Sequence, residues 1–195
     1  LRGDAEKNEP SFVPSKGGHA YAIDLQKQVV NLNHGLYLDE DIQNGGKTNF
    51  CIGTAGYPEK HFEAPNLEID LQRLKDKVEA GADYIMTQMF FDNENFFEFV
   101  KSCRDMGINV PIIPGLKPLT SKKQLTILPR IFHVDIPTAL SNEVMKCKTD
   151  TEVEAVGTKW LIEQSKELKK FGVPVLHYYT LGKPKVIRDV VKEVV

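Results

Sequence analysis

Residues 67–116 read LEIDLQRLKDKVEAGADYIMTQMFFDNENFFEFVKSCRDMGINVPIIPGL, and their rhythm decides the fold. Leu67 to Ala80 is helical: Leu67, Leu71, Leu74 and Val78 fall on one stripe at about 100° per residue, and Gly81 stops the run. Tyr84 to Phe91 is an apolar strand. Asp92 or Asn93 caps a helix that runs to Met106, where Gly107 stops it. Val110 to Pro114 is the next strand. The alternation continues outward. Phe50 to Ala55 is a short buried strand ending at Gly56-Tyr57-Pro58. Ser121 to Leu128 and Thr138 to Cys147 are helices, Glu152 to Phe171 is a long helix stopped by Gly172, Val173 to Leu181 is a strand, and Lys185 opens a last helix. Upstream, Asp4 to Ser15 is a loop, Ala20 to Val30 a helix, and Asp39 to Lys47 a surface insertion. Strand and helix in alternation, with Gly at helix ends, mean βα units and a parallel sheet.

Is that sheet open or closed? A doubly wound nucleotide domain carries a Gly-rich turn after its first strand. Neither G-x-G-x-x-G nor G-x-x-x-x-G-K-[ST] occurs. Polar residues sit instead at strand C-termini: Asp4, Tyr57, Gln88 and Tyr179. That is where a barrel keeps its active site. The reading is an α/β fold, a (β/α)8 TIM barrel, with residues 1–195 as one domain. A full barrel has eight strands in about 250 residues. This chain accounts for strands four to eight, so three βα units and most of a fourth strand are expected ahead of Leu1.

Composition narrows the function. The 195 residues are 41% apolar and 27% charged, the mix of a globular protein. With 25 basic against 27 acidic residues the net charge is -2, and there is no dense basic patch, so nucleic acid is not an expected partner. No apolar run reaches the roughly 18 residues of a membrane span. Leu1-Arg2-Gly3-Asp4 lacks the layout of a secretory leader. Cys51, Cys103 and Cys147 form no CxxC pair, which argues against zinc and for reduced thiols in a cytoplasmic setting. His34 and His133 have no metal-ligand spacing.

Three groups of residues can carry chemistry. Asp70, Arg73 and Lys77 stack at i, i+3 and i+7, on a stripe roughly 95° round from the apolar one, at the edge of the buried face. With Tyr57 and His61 in the preceding loop they suit a phosphorylated ligand, the acid for ribose hydroxyls and the bases for pyrophosphate. The alternative is a solvated helix face with i,i+3 and i,i+4 pairs. Gln88, among Met86, Met89, Phe90 and Phe91, offers a donor and an acceptor to a flat heterocycle, or else bonds to backbone at the edge of the core. At the last strand, alternation puts Tyr179 on the face of His177 and Tyr178 on the other. Asp4, after an Arg-Gly turn, either accepts from a ligand N–H and tunes a cofactor or caps the next element.

Five segments together resemble methylenetetrahydrofolate reductase, the flavin-dependent barrel family of one-carbon metabolism. They are Leu1-Arg2-Gly3-Asp4; Gly56-Tyr57-Pro58-Glu59 with His61; Thr87-Gln88-Met89-Phe90-Phe91-Asp92; Pro114-Gly115 with Pro118; and His177-Tyr178-Tyr179-Thr180-Leu181. The resemblance implies reduction of 5,10-methylenetetrahydrofolate to 5-methyltetrahydrofolate, with hydride passing from NADH or NADPH through bound FAD. It implies FAD contacts at Arg2, Gly3, Asp4, Tyr21, Ala22, Tyr57, His61, Ala64, Asp70, Arg73 and Lys77. Folate contacts fall at Asp4, Gln88, Gln124, Tyr179 and Lys183, and Asp4 is the catalytic candidate. The two substrates then alternate at one flavin face, which is ping-pong chemistry. A homo-oligomer is the expected assembly.

The chain departs from the family pattern in places. Bacterial members have Arg at the position of Lys183, which implies a single-point glutamate clamp here rather than a fork. They have Asn at Arg73 and a basic residue at Asp76, so the phosphate-binding set is rearranged. The family's general acid, a Glu ending the first strand, is expected before Leu1, so the 195 residues alone are expected to be inactive. The competing readings are a non-catalytic half barrel, as a fragment or partner subunit, and another flavin barrel such as proline dehydrogenase.

Overall fold

The computed structural model describes residues 11–39, 41–43, 45–180, 182 and 184–195. Among these, four strands form one all-parallel sheet in the order β1 (Gly53–Gly56), β2 (Tyr84–Met89), β3 (Ile112–Leu116), β4 (His177–Tyr178). Sequential parallel order is that of a (β/α) barrel wall; a doubly wound sheet reverses its order at a switch point. The structure is therefore part of a TIM-type barrel wall. All four strands end at one rim.

Helices α1 (Ala22–Asn33), α2 (Leu67–Glu79), α3 (Asn93–Asp105), α4 (Gln124–Phe132), α5 (Thr138–Lys146), α6 (Asp150–Phe171) and α7 (Pro184–Val194) complete the described elements. Local chemistry sets three of their starts. Asn66 accepts from the Ile69 N–H, Asp92 from the Glu94 N–H, and Thr149 from the Glu152 N–H, each satisfying an orphan donor of a first turn. The expected stops also hold: α6 ends at Gly172, whose φ of +95° is the left-handed geometry that glycine adopts without penalty.

One core lies between the sheet and α2, α3, α6 and α7, built on Leu71, Leu74, Ile85, Phe96, Phe99, Ile112, Leu161 and Val190. A second lies under α4 and α5, around Met89, Phe91, Leu128, Leu140 and Val144. Of the expected α2 stripe, Leu71 and Leu74 are buried, but Leu67, in the first turn, is 44% exposed. Cys103 and Cys147 are buried and Cys51 exposed, all as free thiols, and burial pushes the Cys103 thiol up to about 12. No described helix is long and apolar enough to cross a membrane.

Boundaries move where pairing decides them. β1 starts three residues later than the sequence suggests, because the Phe50 N–H goes to Asn33 Oδ1 (2.8 Å) and the Ile52 N–H to Asp83 Oδ2 (2.7 Å) rather than to a neighbouring strand. β4 shrinks to two residues, paired with Gly115 and Leu116; Pro114 and Pro174 have no N–H to extend that ladder. α4 begins at Gln124 after a turn closed by the Ser121 carbonyl and passes through Pro129 to Phe132. α1 begins two residues later than expected and runs three further, to Asn33. Residues 45–52 form no helix or strand.

The α6 packing makes one sharp demand. A Cβ on Gly157 would sit 2.0 Å from the Leu119 carbonyl oxygen. Gly157→Ala gains about 1 kcal/mol of helix propensity but forces two backbones apart, an overpacking cost of about 1–3 kcal/mol. The expected outcome is a lower thermal midpoint; an unchanged or higher one would mean that α6 is not held against that loop.

Candidate functional site at the barrel rim

The rim is built first by register. Gly56 lies beside Thr87, Met89 beside Gly115, and Leu116 beside Tyr178. Tyr57, Gln88 and Tyr179 therefore follow or end β1, β2 and β4 at the same edge of the sheet. Arg2, Gly3, Asp4 and Lys183 lie outside the described residues.

The loop after β1 is tightly held. Lys60, at φ +77°, donates through Nζ to the carbonyls of His61 (3.1 Å) and Ala64 (2.7 Å). Ala64 is buried. Tyr57 and His61 meet edge to face at 4.5 Å, and Phe62 stacks on His133 at 4.6 Å. Glu59 spans the rim: Oε1 accepts from Asn95 Nδ2 (3.0 Å) and Oε2 from the Asp135 N–H (2.8 Å). Burial pushes the Glu59 carboxyl up, against the lowering effect of those two hydrogen bonds.

Asp70 and Lys77 do sit at the edge of the buried face. Asp70 Oδ2 accepts from the His61 N–H at 2.8 Å, tying the loop to α2. Lys77 Nζ donates to the Ala55 carbonyl at 2.6 Å, so its ammonium lies over the end of β1. Burial pulls the Lys77 pKa down and the Asp70 charge partly restores it. Arg73, one turn away, is exposed. α1 lies alongside: Gln26 Nε2 donates to the Lys77 carbonyl, and Val30 lies against Gly81. Ala22 is the first residue of α1 and Tyr21 its exposed N-cap.

The other half of the rim is amide and phenol. Gln88 Oε1 accepts from the Met89 N–H at 2.9 Å, which fixes the carboxamide and leaves Nε2 as the outward donor. Tyr57 and Gln88 line one small niche together with Met89 and His133. The Tyr179 hydroxyl donates to the Thr87 carbonyl at 2.9 Å, and burial pushes its phenol up. His177 meets Tyr179 edge to face at 4.8 Å, whereas Tyr178 donates to Ser165 Oγ on the helix side, as alternation requires. Gln124 Oε1 accepts from the Thr120 N–H at 2.7 Å, so it caps the β3–α4 turn.

A larger cleft, about 540 Å³, lies between the start of α3 and α6, lined by Trp160, Glu163 and Gln164 among others. None of the sequence-predicted site residues among the described ones lines it. The residues that sequence reasoning passed over are Thr87, Glu59 and the Phe62–His133 pair. Glu59 stood inside the Gly56-Tyr57-Pro58-Glu59 motif; the other contacts join distant segments and leave no local signal.

Comparison with known proteins shows the family. The model of the methylenetetrahydrofolate reductase family matches residues 1–195. The chain is 37% identical over 189 residues to methylenetetrahydrofolate reductase 2 of Saccharomyces cerevisiae, covering 95% of this chain and 29% of that protein. It is 37% identical over 195 residues to methylenetetrahydrofolate reductase (NADH) 1 of Arabidopsis thaliana, covering 95% and 31%. It is also 37% identical over 139 residues to 5,10-methylenetetrahydrofolate reductase of Salmonella typhimurium, covering 71% and 47%. The chain thus spans under a third of the length of the first two relatives and about half of the third. It belongs to the methylenetetrahydrofolate reductase family.

Proposed function

We propose that this chain contributes the FAD and folate rim of a cytoplasmic, homo-oligomeric oxidoreductase that reduces 5,10-methylenetetrahydrofolate to 5-methyltetrahydrofolate with NAD(P)H. The observation that carries the reading is Lys77. Its ammonium is desolvated at the rim, and among the described residues its hydrogen-bond partner is one backbone carbonyl, which leaves donors for an anion. A phosphorylated cofactor fits that donor set. When bound, FAD supplies the two-electron relay between nicotinamide and folate.

The chain's own residues bind and orient. Lys77 and Arg73 hold the pyrophosphate; Asp70, whose Oδ2 is taken by the His61 N–H, offers Oδ1 to a ribose hydroxyl. Tyr57, His61, Ala64, Tyr21 and Ala22, together with Arg2, Gly3 and Asp4, complete the cofactor wall. Gln88 Nε2 donates to an acceptor edge of the pterin, Tyr179 lines the same pocket, and Gln124 and Lys183 reach the rest of the folate. Asp4 adjusts the flavin's electronics. Glu59 does not serve as the proton donor, because both its oxygens accept hydrogen bonds that clip the loop to α3 and to Asp135.

The test is a half-reaction series on the complete protein. Anaerobic NADH or NADPH should bleach the flavin absorbance, and methylenetetrahydrofolate should restore it. Restoration by menadione but not by the folate would overturn the substrate assignment.

Lys77 gives a sharper test. Lys77→Met loses a charge-assisted contact worth about 1.5–3 kcal/mol, so FAD should dissociate about 10- to 100-fold more readily. The flavin-free protein should keep or raise its thermal midpoint, since a desolvated charge is removed. The pH dependence has opposite signs. A lysine with a depressed folded pKa binds fewer protons folded than unfolded, so its burial cost fades as pH rises from that pKa toward 10.5. FAD affinity should fall over the same window as the ammonium is lost. Equal flavin retention in Lys77→Met and wild type would return Lys77 to an ordinary helix face.

A further inference from the structure

β2 and β3 do not pair regularly to their ends. Ile85 faces Ile112 and Met86 faces Ile113, but Met89 faces Gly115, so β2 carries one extra residue before the rim. The Ile85 N–H donates to the Pro111 carbonyl at 2.9 Å. Continued by the two-residue period of a parallel ladder, that pattern would give the Gly115 N–H to the Thr87 carbonyl. Instead the Gly115 N–H donates to Thr87 Oγ1 at 2.9 Å, and the Thr87 carbonyl accepts from the Tyr179 hydroxyl at 2.9 Å. Thr87 is wholly buried, at 0% exposure. Gly115 makes the crossing possible: a Cβ there would lie 2.3 Å from the Thr87 carbonyl oxygen and 2.7 Å from the Tyr179 ring.

This exchange has a consequence one residue on. The Met89 N–H is taken by Gln88's own Oε1 at 2.9 Å. An N–H can be satisfied only by the oxygen of a carboxamide, so the bulge decides which way round the Gln88 amide sits. We infer that Thr87 is the positioning residue for Gln88: through its hydroxyl and carbonyl it holds the bulge that turns Gln88 Nε2 to the pocket as a donor. The inference rests on the proposed role of Gln88 in binding the folate. It adds that the ligand edge read there is an acceptor, a carbonyl oxygen or a ring nitrogen, and that Thr87 sets this without touching the ligand.

Thr87→Val keeps the shape and removes the acceptor for the Gly115 N–H; Thr87→Ser keeps the acceptor. In the complete, flavin-loaded protein, Thr87→Val should raise the KM for methylenetetrahydrofolate about tenfold, the loss of one oriented hydrogen bond. Its kcat should hold, since uniform binding is what is lost. NADH–menadione turnover should match wild type, and Thr87→Ser should restore the folate KM. Should Thr87→Val fail to fold, Thr87→Cys, with a weaker acceptor, takes the same readouts. An unchanged folate KM overturns the inference. So does a matching fall in menadione turnover and thermal midpoint that Ser does not rescue, because that marks a merely structural residue. Gln88→Ala separates the two claims. If it raises the folate KM while Thr87→Val does not, the positioning role alone falls; if it leaves the KM unchanged, the reading of Gln88 falls and the inference with it.

Discussion

The hydrogen bond from the Gly115 N–H to the Thr87 hydroxyl is the hinge on which the rim turns. Below it, β2 and β3 form an ordinary parallel ladder with Ile85 against Ile112, and the sheet buries its outer face under the helices. Above it the ladder is released by one residue. Met89 and Phe91 then join the second core under α4 and α5, while Gln88 stays half-buried between the two. A buried N–H must find a partner, and for Gly115 the Thr87 hydroxyl accepts while the Thr87 carbonyl is given to Tyr179.

Electrostatics adds the second constraint. Lys77 is held at the end of β1 with its ammonium partly out of water, a cost that a plain helix face would avoid by letting the side chain reach solvent. Asp70 supports the charge, while its Oδ2 accepts from the His61 N–H. The arrangement holds the ammonium over the end of β1. On the proposed reading, stability is given up where cofactor binding is gained.

Much of the frame is legible in the chain itself. α2 and α3 are set by local devices, Asn66 and Asp92 at their starts and Gly81 and Gly107 after their ends, and these act within a few residues. The sequential βα rhythm gives the barrel wall, and of the Asp70, Arg73 and Lys77 stripe the first and last lie at the edge of a buried face while Arg73 is exposed. Strand limits are less legible because a ladder needs two partners: β1 waits for Gly53 since Asn33 and Asp83 intercept the earlier N–H groups. Leu67 looks like core by period alone, but it stands in the first turn of α2 and is nearly half exposed. Thr87 is the clearest case. It sits in a motif that draws the eye to Gln88, and its partners are 28 and 92 residues away, so no local pattern could mark it.

The central claim is that this rim reads a folate through a fixed donor beside a phosphate-binding cation. A crystal structure of the complete protein with FAD and 5-methyltetrahydrofolate tests it most directly. The account predicts an acceptor atom of the pterin about 2.7–3.2 Å from Gln88 Nε2, Gln88 Oε1 still on the Met89 N–H, and a cofactor phosphate against Lys77 Nζ. A pterin bound away from Gln88, or a Gln88 carboxamide turned to accept from the ligand, would contradict it.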